Sequence, residues 1–183
     1  MFLDPGGFPF VAALEARWRA ILDECLALPA DSYEPWVQRE MYGEGWDVYG
    51  LVAFGHRLED ALARCPATAR ALAEVPHLTT AGFSRLAASA HIRPHVGWVK
   101  TVYRGHLGLV VPDSCAMRVG GETRPWREGK VAIFDDTIEH EAWNRSPRDR
   151  FVLLFDFARP GLEAAAQDPP PPEVAELLRR RRT

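Results

Sequence analysis

From about residue 81 the chain changes texture. Short runs rich in branched and aromatic residues follow one another at 82–88, 99–111, 115–119, 130–134, 139–143 and 150–157. Turn signals such as Gly120-Gly121 and Glu128-Gly129 lie between them. Many short strands with little helix between them pack as a sandwich or barrel and not as a parallel sheet. The fold class expected from this pattern is mainly β with flanking helices.

The first eighty residues read as helical support with one early strand. Val11, Leu14, Trp18, Ile21, Leu22, Cys25 and Leu26 recur at spacings of three and four, which predicts one amphipathic helix ending near Pro29. The run Trp46–Phe54 predicts a strand. Residues 57–75 are rich in Ala, Leu, Arg and Glu; Pro66 interrupts them, which predicts a short turn and then a helix over about 66–74. The expected organisation is a single domain over 1–183. Its parts are a support segment (1–80), a β core (81–160), and a tail (161–183) with a spacer at Pro169–Pro172 and a last helix over about 173–182.

Several function classes are excluded by charge and composition. With 22 Lys and Arg against 25 Asp and Glu, the net charge is -3, and no basic excess points to nucleic acid. The one cationic run, Arg179–Arg182, reads as a solvated helix end. No apolar run approaches the ~20 residues of a membrane span, and the N-terminus lacks a signal-peptide pattern. Cys25, Cys65 and Cys115 are odd in number and far apart, matching neither a disulfide framework nor a CxxC site. Reduced thiols in a cytoplasmic protein are the expectation. Without an export signal, the sequon Asn144-Arg145-Ser146 carries little meaning. Oligomeric state is not legible.

Four histidines, His91, His95, His106 and His140, fall in the strand-rich half. Two or three imidazoles converging inside a small barrel would suit Fe, Zn or Cu. Both His95-Val96-Gly97 and His106-Leu107-Gly108 have the His-x-Gly form, so spacing leaves open which of them ligates. His91 reads as structural or as lying near the substrate entrance. Asp135 and Asp136 read as strand-end turn residues. Arg118, Arg124 and Arg127 read as exposed hairpin charges that could also meet an acidic substrate.

Whole segments are more specific. His91-Ile92-Arg93-Pro94-His95-Val96-Gly97 leads into Arg104-Gly105-His106-Leu107-Gly108-Leu109. Then come Arg118-Val119-Gly120, Trp126–Lys130 and the stretch Phe134–Asn144, with Arg150 ten residues after His140. This series resembles the aspartyl/asparaginyl β-hydroxylase family of 2-oxoglutarate oxygenases, over roughly residues 44–159. The resemblance implies a double-stranded β-helix (a jelly-roll, cupin-like core). It implies iron(II), with 2-oxoglutarate and O2 as cosubstrates.

Site roles follow from the same resemblance. It makes His95 and His140 the metal ligands, and Gly97 takes the place where most such oxygenases carry a ligating carboxylate. Arg150 would pair with the distal carboxylate of 2-oxoglutarate, a task that suits a planar guanidinium. Ser84 would donate a hydroxyl to the same carboxylate. Arg104 and His106 match positions at the other end of the cosubstrate, and Trp46 an aromatic wall. The implied reaction is hydroxylation of an unactivated C–H bond with release of succinate and CO2. The expected substrate is an Asp- or Asn-like amino acid, free, carrier-bound or in a peptide. The rival readings are a cupin-like metal-binding isomerase and a non-catalytic carboxylate-binding protein. No His-x-His followed by Glu supports the first, and no HExxH helix supports a zinc hydrolase.

Overall fold

The computed structural model describes residues 1–164 and residue 172. The expected last helix and the Arg179–Arg182 run lie outside the described residues. Twelve strands are described, in chain order β1 (Phe2–Leu3), β2 (Glu34–Pro35), β3 (Trp46–Ala53), β4 (His56–Arg57), β5 (Leu78–Leu86) and β6 (His91–His95). They continue as β7 (Val102–Val110), β8 (Cys115–Val119), β9 (Glu122–Pro125), β10 (Val131–Phe134), β11 (His140–Asn144) and β12 (Arg150–Ala158). The helices are α1 (Phe10–Ala16), α2 (Trp18–Ala27), α3 (Glu59–Arg64) and α4 (Pro66–Leu72).

The strands form two antiparallel sheets. The larger runs β1-β10-β7-β12-β5-β3-β2, with β4 paired to β3, and the smaller runs β6-β11-β8-β9. Two antiparallel sheets with their inner faces opposed make the jelly roll that the pattern and the resemblance predict.

Strand alternation separates two cores. Along β12, Leu153, Phe155 and Phe157 face outward into a cluster with Leu14, Ile21, Leu51, Leu62, Phe83 and Leu107. The helices cover this face of the larger sheet. The intervening Val152 joins Trp46, Leu86, Ile92, Met117, Trp126 and Phe134 between the sheets. Arg150 and Asp156, on the same inward face, are charged yet buried. Polar groups there must be satisfied by each other or by something bound, since an unpaired buried charge is costly.

The N-terminal helical stretch is two helices and not the one expected. The chain breaks at Arg17 (φ −101°, ψ 4°). This redirects the second half, so Leu26 leaves the stripe and is 56% exposed while Ile21 and Cys25 stay buried. Ahead of Pro66, α3 replaces the expected turn. Pro66 starts α4 at a position where a missing N–H costs nothing. Glu24 of α2 accepts hydrogen bonds from Ala67 N (2.6 Å), Thr68 N (2.8 Å) and Thr68 Oγ1 (2.7 Å), capping α4 from a neighbouring helix.

Candidate active site

The two sheets face each other across a few polar side chains. His95 ends β6 and His140 begins β11, and the two are direct partners across the smaller sheet. Their rings lie 4.2 Å apart, centroid to centroid. The pairing slips here: two steps along β11, from His140 to Ala142, match three along β6, from His95 to Ile92. Pro94 sits in this irregularity of an edge strand, where its missing N–H breaks no ladder, and the extra residue re-aims His95.

Hydrogen bonding fixes the tautomer of each imidazole. His95 Nδ1 donates to the Arg93 carbonyl at 2.7 Å, and His140 Nδ1 donates to the Ile138 carbonyl at 2.9 Å. A carbonyl only accepts, so both Nδ1 atoms carry the proton and both Nε2 atoms keep a lone pair. His106 is the reverse. Trp126 Nε1 can only donate, and it donates to His106 Nδ1 at 3.2 Å, so the proton is on Nε2. That buried Nε2–H has no hydrogen-bond partner among the described residues. Burial pushes the His140 imidazole down to about 3, lowers His95, and, with Arg150 adding to it, holds His106 well below its ordinary value. All three rings are neutral at physiological pH.

Asp135 and Asp136 both lie in the strand-end turn expected of them, but their side chains part. Asp135 does make the expected turn, accepting from Thr137 N and Thr137 Oγ1. Asp136 instead turns inward and is 1% exposed. Its Oδ1 lies 3.3 Å from His140 Nε2 and 3.0 Å from Arg104 Nη1. A Cβ built on Gly97 would come within 1.6 Å of Asp136 Oδ2. The carboxylate therefore occupies the space a side chain at 97 would take, and a glycine there is a steric requirement. A pairing between positions 97 and 136, distant in sequence, leaves no local signal.

Arg104 is held by carboxylates. It meets Asp156 through Nε (2.7 Å) and Nη2 (2.8 Å) as well as Asp136 through Nη1. Burial opposes its charge, but Asp136 and Asp156 more than offset that.

Arg150 lies at the other end of β12 from Asp156. It is fully buried, and its Nε and Nη1 have no hydrogen-bond partner among the described residues. Its guanidinium sits over the Trp126 ring at 4.8 Å. Burial pulls it down to about 10, so it stays a cation at neutral pH. Ser84 is diagonal to it on β5, where Val152 pairs with Ser84 and Arg150 with Leu86. Ser84 Oγ accepts from Trp46 Nε1 at 3.0 Å, which leaves its own O–H free to donate. Arg150, Ser84 and His106 thus offer donors from one sheet face, while His95, His140 and Asp136 offer lone pairs opposite.

Three of the other sequence candidates are engaged in ion pairs. Arg118 is committed to Glu139 and Glu141, Arg124 to Glu122, and His91 to Glu141. Asn144 cannot serve as a glycosylation acceptor, since it is buried with Nδ2 against the carbonyls of Leu86, Ala87 and Arg148. Cys25, Cys65 and Cys115 are buried and form no disulfide. Among the described residues no helix is long and apolar enough to cross a membrane.

Comparison with known proteins agrees with this fold. A solved prolyl-4-hydroxylase from Pseudomonas putida superposes with a TM-score of 0.52 at 18% identity, over 79% of this chain and 87% of that one, which shows the fold. An ornithine lipid ester-linked acyl 2-hydroxylase from Rhizobium tropici is 43% identical over 118 residues, 63% of this chain and 42% of that protein. The human aspartyl/asparaginyl beta-hydroxylase is 33% identical over 168 residues, 87% of this chain and 22% of that protein. The chain thus spans less than half the length of either relative. The aspartyl/asparaginyl beta-hydroxylase family profile matches residues 15–160, and the chain belongs to that family.

Proposed function

We propose that the chain is an iron(II)- and 2-oxoglutarate-dependent hydroxylase in which His95 and His140 hold the metal. The observation that carries this reading is the opposition of tautomers. His95 and His140 present bare Nε2 atoms, whereas His106 presents an N–H. The His140 lone pair also faces a carboxylate oxygen at 3.3 Å, an arrangement that a cation between them would relieve. Asp136 places a carboxylate beside His140, and Arg104 holds Asp136 in place.

The remaining residues suit 2-oxoglutarate. Arg150 has two unused nitrogens to meet a distal carboxylate, with the Ser84 hydroxyl beside them. The His106 N–H supplies a further donor along the cosubstrate, and Trp46 orients Ser84 and walls the cavity. When bound, iron(II) with 2-oxoglutarate supplies the activation of O2 that inserts oxygen into a C–H bond, releasing succinate and CO2. The protein's part is to bind, orient and exclude water.

For the prime substrate two readings stand. An Asp- or Asn-like amino acid, free, carrier-bound or peptidyl, agrees with the name of the human relative. An acyl group agrees with the name of the 43% identical bacterial relative.

The test is an anaerobic titration of metal-stripped protein with iron(II) and 2-oxoglutarate, watching for their visible charge-transfer band. We expect a band in the wild type, its loss in His95→Ala, and a large rise in the 2-oxoglutarate needed by Arg150→Ala. In His106→Ala the band is retained with weaker cosubstrate binding. Iron binding with no band would instead favour a cupin-like metalloprotein.

A further inference from the structure

Over 121–130 the chain is exposed at every position except Trp126 and Gly129. The connection between β9 and β10 that carries this buried indole is pinned to the larger sheet. Gly129 N donates to the Gly108 carbonyl (2.9 Å) and Gly108 N to the Lys130 carbonyl (3.1 Å), which clamps the connection to β7 two residues beyond His106. The approach is close, since a Cβ built on Gly108 would collide with the Arg127 carbonyl. Trp126 is thereby set beside His106, with ring centroids 6.0 Å apart.

The indole uses its edge and its face differently. Its edge donates Nε1–H to His106 Nδ1 at 3.2 Å. With Nδ1 so occupied and the proton on Nε2, a neutral His106 has no lone pair to give a cation. Its face carries the Arg150 guanidinium at 4.8 Å. The buried side-chain donors that lack a hydrogen-bond partner among the described residues are His106 Nε2, Arg150 Nε and Arg150 Nη1. Both residues that carry them lean on this one ring.

Building on the hydroxylase reading, we propose that Trp126 is a positioning residue for the cosubstrate. Its N–H keeps His106 a hydrogen-bond donor and out of the metal's ligand set. Its ring face holds the Arg150 guanidinium ready for a carboxylate. It acts through these two residues.

The experiment separates edge from face. Trp126→Phe keeps a ring against Arg150 and removes the N–H, whereas Trp126→Leu removes both. The first readout is the His106 tautomer, taken from nitrogen-15 spectra of metal-free protein labelled at histidine, with the signals assigned by their loss in His106→Gln. In the wild type His106 should be protonated at Nε2 alone, and in Trp126→Phe a substantial share should move to Nδ1. The second readout is calorimetric 2-oxoglutarate binding with manganese(II) present. Trp126→Phe should weaken it about 10-fold, in keeping with the loss of one hydrogen bond to a charged group. Trp126→Leu should weaken it by a further factor of about 5, as the cation loses its ring. A tryptophan that only fills the core would change stability without moving the tautomer. A wild-type His106 protonated at Nδ1, a result that needs no variant to fold, would overturn the proposal. So would an unchanged tautomer or unchanged 2-oxoglutarate affinity in Trp126→Phe, or equal losses in the two variants. A wild type with the expected tautomer that binds no 2-oxoglutarate would instead overturn the hydroxylase reading on which the proposal rests.

Discussion

His95, His106 and His140 show how one hydrogen bond per ring sorts identical side chains into different tasks. Two are tied through Nδ1 to the backbone carbonyl two residues back in the chain, and the third is tied through Nδ1 to an indole N–H. Arg150 illustrates the converse, a buried side chain two of whose nitrogens find no hydrogen-bond partner among the described residues. Leaving two of its nitrogens unpaired in the interior is destabilising until an anion arrives. Arg150→Met should therefore stabilise the ligand-free protein by about 1 kcal/mol or more while abolishing saturable 2-oxoglutarate binding. Thermal melts with and without 2-oxoglutarate check both halves, and a large fall in the ligand-free melting temperature would show that the stack on Trp126 outweighs the unpaired charge. Gly97 and Asp136 make a second pair. Since a Cβ at 97 would collide with the Asp136 carboxylate, Gly97→Ala should displace it. We expect Gly97→Ala and Asp136→Ala each to lower iron(II) affinity about 10- to 100-fold. The double variant should be little worse than either, because both remove the same carboxylate from the pocket. Calorimetric metal titrations of the three variants measure this, and additive losses would argue against it.

Among the elements, the α2–α4 contact shows support reaching the core from outside. Glu24 satisfies two N–H groups and one hydroxyl at the start of α4, and α4 in turn buries Thr68, Ala71 and Leu72. Glu24→Ala should destabilise the protein by about 1–3 kcal/mol in urea unfolding, with cosubstrate affinity unchanged because α4 packs on the outer face of the larger sheet. Which elements were legible follows from how each is stabilised. Strands β7, β8, β10, β11 and β12 carry runs of branched and aromatic residues, and their expected spans lie within a few residues of those found. Strand β6 was not expected. Of its five residues only Ile92 is buried, and Pro94 argues against a strand wherever it is not at an edge or bulge. Strand β9 is exposed throughout and has no apolar alternation to reveal it. The break at Arg17 was equally hidden, since the apolar spacing runs through it with only Leu26 out of place. Of the candidate-site residues, His95, His140, Arg150 and Ser84 were singled out by the resemblance to the family. Asp136 was not, because its contacts with Gly97, His140 and Arg104 form only when loops and strands distant in sequence come together.

Across the whole molecule, the candidate site joins the two sheets. The proposed metal ligands, His95 and His140, belong to the smaller sheet, and Arg150, Ser84 and His106 to the larger. The buried charges divide in a corresponding way. Arg104 is shared by two aspartates, which leaves the region around His140 one charge negative, while Arg150 stands positive at the far end. A divalent cation suits the first region and the distal carboxylate of a dianion the second. Each bound alone adds a buried charge that the other would compensate. Their binding should therefore be coupled, and by linkage each should tighten the other by the same factor. Typical couplings of about 1–3 kcal/mol correspond to 5- to 150-fold in affinity. In a protein of this size they correspond to roughly 2–4 °C per kcal/mol in melting temperature. We expect manganese(II), as a redox-silent stand-in, and 2-oxoglutarate together to raise the melting temperature by several degrees more than the sum of their separate effects. Arg150→Met should keep the metal's own shift and lose the excess. Strictly additive shifts in the wild type would mean that the two regions bind independently, and the charge argument would then fail.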